Sequence, residues 1–283
     1  MRVLVLAISA LLAGCATAVP PEPTRVEAIG AVPPQHFAGP AEQAAAQSLQ
    51  MIAALNPALH AVIATDPTAL DQARRIDASG LQGPLAGKPV LIKDNLEVAG
   101  PMPTTAGSLA LANNVTNRDA PLVTRLRQAG AILIGKANLS EWANIRSSKS
   151  ISGWSATGGQ ARNPYALDRN PCGSSSGSAT AVAAGMVRLA IGTETDGSIT
   201  CPAAINGIVG MKPTVGLVSR THIVPISHSQ DTAGPMAVTV REAAELLAAI
   251  AGTDPADPAT READARKADY ASALYANALA GKR

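Results

Sequence analysis

The apolar positions of this chain change period several times along its length. Residues 41–55 carry Ala, Leu, Met and Ile at three- and four-residue spacing, which predicts a helix, and Asn56-Pro57 predicts its end. A short apolar run follows at 61–64. Residues 68–78 return to helical spacing, bounded by Asp66-Pro67 and Ser79-Gly80. The run GKPVLIK at 87–93 is continuous, short and ended by Lys93, which is the pattern of a buried strand. Residues 131–135 read the same way, and 120–129 between them read as a helix closed by Gly130. Alanine-rich 175–185 predicts a helix and 187–192 a strand, with 207–211 a shorter candidate strand. Residues 241–251 form an amphipathic helical pattern, and 262–280 the last one. The stretch 147–163 is polar, glycine-rich and without period, so it is expected as surface loop beside a site. Strands that alternate with helices predict an α/β layered sheet.

The 283 residues suffice for one large domain or two small ones. At 47% hydrophobic but 2% aromatic residues, the core must be built mainly from Ala, Val, Ile and Leu. Net charge is +2 with both signs scattered. Neither a basic run nor an aromatic platform for stacking bases is present, which argues against nucleic acid as a partner. The four histidines are scattered, and no CxxC suggests a metal site.

The chain opens as a targeting segment. Arg2 precedes a short apolar stretch at 3–13, too short to span a bilayer comfortably. Leu12-Ala13-Gly14-Cys15 is similar to a bacterial lipobox, so residues 1–14 are expected as a lipoprotein signal peptide and Cys15 as the acylated residue. Ala16 after that cysteine favours the outer membrane, facing the periplasm. Residues 15–40 hold six prolines and read as a tether. That leaves 41–283 as the folded domain. Cys172 and Cys201 could pair in an oxidising compartment, but pairing depends on their Cα separation. They are expected to be unpaired.

Two small-residue loops carry the candidate chemistry. The first, Gly173-Ser174-Ser175-Ser176-Gly177-Ser178, crowds hydroxyls onto a flexible backbone; the second is Thr195-Asp196-Gly197-Ser198. A serine nucleophile needs a neighbouring base and N–H groups aimed at the oxygen that becomes charged. The same residue types also suit plain turns. Lys93 has two readings as well: it snorkels to solvent, or it is buried and its pKa falls.

These residues, with Lys93-Asp94-Asn95 and the run GTETDGSITCPAAINGIVGMKPTVGLVSR, resemble the amidase signature family of serine hydrolases, and within it the bacterial peptide amidases. The resemblance covers about residues 41–280. It implies a mixed sheet with helices on both faces and no cofactor. It also implies a Ser-Ser-Lys triad in which Ser198 attacks a carboxylic amide, Ser174 relays the proton and Lys93 accepts it. Backbone N–H groups of Thr195, Asp196, Gly197 and Ser198 would form the oxyanion hole, with Ser175 in support. The two family serines stand 24 positions apart here. Cys172 and Ser176 stand where many members carry glycine. Members usually continue well beyond this length, so the fold is expected to be incomplete at the C-terminus.

Two other motifs are weaker. Gly173 to Gly177 fits the G-x-S-x-G elbow, with Ser175 as nucleophile, but an elbow follows a strand and 162–171 reads as loop. Gly130 to Lys136 has Walker A spacing, yet its middle is apolar strand. Three functions then fit the sequence. One is an amidohydrolase acting on a peptide-amide-like substrate. Another is an inactive or partner-completed fragment, and the third a non-catalytic envelope lipoprotein that binds a peptide or cell-wall ligand.

Overall fold

The computed structural model describes residues 37, 39–278 and 280–282. The segments expected as signal peptide and tether, with Cys15, lie outside the described residues except for 37, 39 and 40. Eight strands are present among the described residues: β1 (Val62–Thr65), β2 (Pro89–Lys93), β3 (Ile132–Ala137), β4 (Trp154–Ser155), β5 (Gly159–Gln160), β6 (Leu189–Glu194), β7 (Val209–Gly210) and β8 (Thr232–Ala237). The α-helices are α1 (Pro40–Leu59), α2 (Ala69–Ser79), α3 (Pro121–Gln128), α4 (Ser176–Ala183), α5 (Thr200–Ile205), α6 (Val240–Ile250) and α7 (Ala263–Arg266).

Six strands form one mixed sheet in the order β1-β3-β2-β6-β8-β7. The central β3-β2-β6 trio is parallel, and β1 and β8 add to it antiparallel. Central strands of this kind are covered on both faces, which is why their sequences read as unbroken apolar runs. One face packs α1, α2 and α4 through Ile52, Leu55, Leu59, Ala73 and Ala181. The other packs α3 and α6 through Leu122, Leu126, Leu246 and Ile250. The expected α/β fold, a mixed sheet with helices on both faces, is the one observed.

Local chemistry explains the element ends. The first N–H groups of α1 are satisfied from another helix: Ala41 and Glu42 donate to the Asp77 carboxylate, each at 3.0 Å. Thr239 caps α6 by accepting from Glu242 N, and its hydroxyl donates in turn to the Glu242 carboxylate at 2.9 Å.

Several elements differ from the sequence pattern. The first helix runs through Pro57 to Leu59, because a proline in the last turn removes one hydrogen bond while Leu59 remains fully buried. The predicted 262–280 helix is reduced to α7, and Lys267 is already extended. Residues 266–269 are all exposed, and a short helix without a buried face is marginal in water. Strand β8 was not legible, since TAGPMA contains Gly234 and Pro235; pairing on both sides imposes it. Segment 147–163 is not wholly surface loop, because it forms the β4–β5 hairpin and buries Ser155, whose hydroxyl donates to Asn138 Oδ1 at 2.7 Å.

Candidate active site

Lys93 closes β2, and Thr193-Glu194 close the neighbouring parallel strand β6. Carboxyl ends of parallel strands are where open α/β sheets place ligands. Ser174 and Ser175 lie just before α4, and Ser198 lies in the turn before α5. Helix α4 approaches the sheet closely because of Gly177: a Cβ there would stand 2.2 Å from the Ala61 carbonyl oxygen. Gly197 takes φ +80°, a left-handed conformation that favours glycine, and so permits the turn that carries Ser198.

Lys93 is fully buried. Its Nζ lies 2.8 Å from Ser174 Oγ, 2.8 Å from Thr193 Oγ1 and 3.2 Å from the Thr193 carbonyl oxygen. Burial pushes its pKa far below lysine's ordinary value, to about 7, against a smaller opposing pull from Glu194 and Asp231. Ser175 is fully buried and locked to the Thr193 backbone: its hydroxyl donates to Thr193 O (3.0 Å) and accepts from Thr193 N (3.1 Å). The Ser175 N–H donates to the Ser198 carbonyl oxygen at 3.0 Å, which ties the two serine loops together. Among the hydrogen bonds of the described residues, the side-chain path from Lys93 stops at Ser174 and none joins Ser174 to the Ser198 hydroxyl. Ser198 is 8% exposed, whereas Ser174 and Ser175 are at 0%.

Among the described residues, the N–H groups of Asp196, Gly197 and Ser198 are not donors in any backbone hydrogen bond. The next two, Ile199 and Thr200, donate instead to the buried Glu194 carboxylate at 2.7 and 2.8 Å. Asp231 accepts from Thr195 Oγ1, Ile226 N and Ser227 N, so it braces the loop facing this turn. A cavity of about 260 Å³ opens beside the strand end, with Asn95, Thr193, Thr195, Ile223, Val224 and Asp231 in its walls. No cluster of His, Cys, Asp or Glu able to hold a metal ion occurs among the described residues.

Thr193, Glu194 and Asn95 stand within the matching motifs, but sequence reasoning assigned them no role. Asn95 Nδ2 donates to Thr193 Oγ1 at 3.0 Å, so these two side chains and Lys93 meet at one oxygen. Their available signal was position: Thr193 stands five residues before Ser198, at the end of a strand.

One expectation is corrected. Cys172 and Cys201 form a disulfide, with Cα atoms 6.0 Å apart. The folding of both serine loops against β6 brings the cysteines into bonding range, which sequence separation does not reveal. The bond joins the residue two before Ser174 to the residue three after Ser198. It closes 29 positions of chain, which predicts a contribution of about 3–4 kcal/mol. Chemical denaturation of the oxidised protein and of the Cys172→Ser/Cys201→Ser variant should differ by that amount; coincident midpoints and slopes would show that the bond adds no stability.

The comparisons identify the class. The chain belongs to the Amidase family, which it matches over residues 43–279. It is 50% identical over 243 residues to a probable amidase of Arabidopsis thaliana, covering 83% of this chain and 48% of that protein. It is 48% identical over 228 residues to a glutamyl-tRNA(Gln) amidotransferase subunit of Acidothermus cellulolyticus, covering 79% and 44%. Among solved structures, the native peptide amidase of Stenotrophomonas maltophilia superposes with TM-score 0.80 at 59% identity, covering 82% of this chain and 49% of that one. The chain therefore spans about half the length of the relatives it matches.

Proposed function

We propose that this chain carries the catalytic centre of a serine amidase that cleaves a carboxylic amide of the peptide-amide type through a Ser-Ser-Lys triad. The observation that carries the reading is Lys93, buried, near neutral pKa, and 2.8 Å from Ser174 Oγ. A neutral amine has two N–H donors and one lone pair. The Thr193 hydroxyl and carbonyl oxygens take the two donors, which leaves the lone pair for the Ser174 hydroxyl proton. Ser174 in turn takes the proton of Ser198 as Ser198 attacks the amide carbonyl. The tetrahedral oxygen lies against the N–H groups of the Thr195–Ser198 turn. Ser174 then protonates the leaving amine, and water hydrolyses the acyl-enzyme by the same route. The peptide-amide class is favoured over transamidation because the peptide amidase is the more similar relative, at 59% against 48% identity. The cavity beside Thr193 offers room for part of the substrate.

Fluorophosphonate treatment with mass spectrometry tests the assignment. An adduct on Ser198 is expected. An adduct on Ser175 would replace it with an elbow mechanism, and none on the folded protein would leave a binding lipoprotein.

We extend the proposal to location: a lipid anchor on Cys15 holds the chain at the bacterial envelope, facing the periplasm. The Cys172–Cys201 bond supports this, since disulfides persist in oxidising compartments. No described helix is long and apolar enough to cross a membrane. Cells fed labelled palmitate should label the full chain and not its Cys15→Ala variant; equal labelling of the two would exclude that anchor.

A further inference from the structure

A second fully buried lysine stands one strand away from the first. Lys136 lies on β3, paired with Ile92, while Lys93 pairs with Ala137. Ile92 belongs to the core under α3 and α6, and Ala137 to the core on the opposite face. A register shift between Val90 and Leu91 sets this phase, so the two lysines leave the sheet on opposite sides. The proposed chemistry makes no use of Lys136.

Its contacts converge on the turn that follows Lys93 and on Thr104 beside it. Nζ donates to the Leu96 carbonyl oxygen at 2.6 Å and to Thr104 Oγ1 at 2.9 Å, and it lies 3.4 Å from Asp94 Oδ1. Asp94 is 1% exposed and makes no hydrogen bond through Oδ1, so Lys136 is that oxygen's partner. Its other oxygen accepts from the Thr105 N–H and hydroxyl. Thr104 Oγ1 itself donates to the Leu96 carbonyl oxygen, and the Ala106 N–H donates to the Asp94 carbonyl oxygen. The charged groups acting on the two lysines are Glu194 and Asp231 for Lys93, and Asp94 and Glu97 for Lys136.

We propose that Lys136 and Asp94 are positioning residues for Lys93: the pair clamps the 94–96 turn to the 104–106 segment and keeps the end of β2 dry and fixed beneath the serine loops. The pair rests on the reading of Lys93 as proton acceptor. Breaking one half of a buried ion pair leaves the other charge uncompensated, which invites water and movement. Water reaching the β2 end relieves the burial that holds Lys93 near neutral, so its basicity rises. Asn95, fixed in the same turn, lets go of Thr193 Oγ1 by the same loosening.

The test is the pH dependence of fluorophosphonate labelling of Ser198 in the full chain. Lys136→Met should lower the labelling rate at pH 7 about tenfold and move the rising limb about half a unit toward higher pH. Thr104→Val, which keeps the shape and deletes the hydroxyl between Lys136 and Leu96, should move it in the same direction by less. It decides the matter if Lys136→Met does not fold. A merely structural role lowers the folded fraction and leaves the midpoint, normalised to folded protein, where it was. An unmoved midpoint in the folded variants would overturn the inference while sparing the triad. Absence of label in the unaltered chain would defeat the triad and the inference together.

Discussion

Ser198→Ala is expected to lower the rate of amide cleavage by about 10⁴-fold or more, the loss seen when a nucleophile of a concerted serine unit is removed. The reason lies in how the three candidate hydroxyls are committed. Ser175 spends both its donor and an acceptor on the Thr193 backbone, so it has no proton to give without unpinning the strand end. Ser174 is tied to Lys93 and fully buried. Ser198 remains, 8% exposed, at the turn whose N–H groups are uncommitted. The exchange removes one hydroxyl at a near-buried turn and should cost about 1 kcal/mol of stability or less. Thermal denaturation should therefore coincide with the unaltered protein while turnover disappears. Ser175→Ala should instead lose part of the activity together with stability, since it frees Thr193. Normal turnover in Ser198→Ala would end the assignment, and full loss in Ser175→Ala with an intact fold would move the nucleophile there.

Much of this site was legible in the sequence for a physical reason. An apolar run that ends on lysine, and two glycine-serine loops, are local patterns that mark candidate segments, and the resemblance to the amidase signature family singles out Lys93, Ser174 and Ser198 within them before any contact is known. What was not legible depends on chain segments meeting. Thr193 reads as an ordinary β-branched strand residue; its role exists because β6 lies beside β2 and turns its hydroxyl toward Nζ. The Cys172–Cys201 bond follows from the approach of two loops. Lys136 sat in a discarded phosphate-loop match, and neither spacing nor composition shows that its ammonium is aimed back at the turn after Lys93. Strand β8 and the shortened α7 make the same point for the fold: pairing overrode low strand propensity in one, and lack of a buried face overrode good helix propensity in the other.

Lys93→Met should reduce amide cleavage by about 10³-fold, within the range that a positioned general base supplies. It should also leave a thermodynamic signature that Ser198→Ala does not. In the unfolded chain lysine titrates near its ordinary value, about 10.4. In the folded chain Lys93 titrates at about 7. Between those two values the unfolded state holds more protons, so Lys93 makes stability rise with pH across that window. Below about 7 both states are protonated and its contribution is flat, with the full cost of a buried ammonium in place. Methionine keeps the length of the side chain and has no proton to bind. The difference in unfolding free energy between the unaltered chain and Lys93→Met should therefore vary with pH between about 7 and 10.4, in the direction that favours the unaltered chain as pH rises. Lys136, also lowered by burial, is present in both proteins and drops out of the comparison. Activity of the unaltered chain should rise through pH 7 over the lower part of the same window, because the neutral amine that costs least to bury is the one that accepts the Ser174 proton. A pH-independent difference in stability would mean that Lys93 is not buried as a neutral base. A rate that falls as pH rises through 7 would mean that the ammonium, not the amine, is the working form.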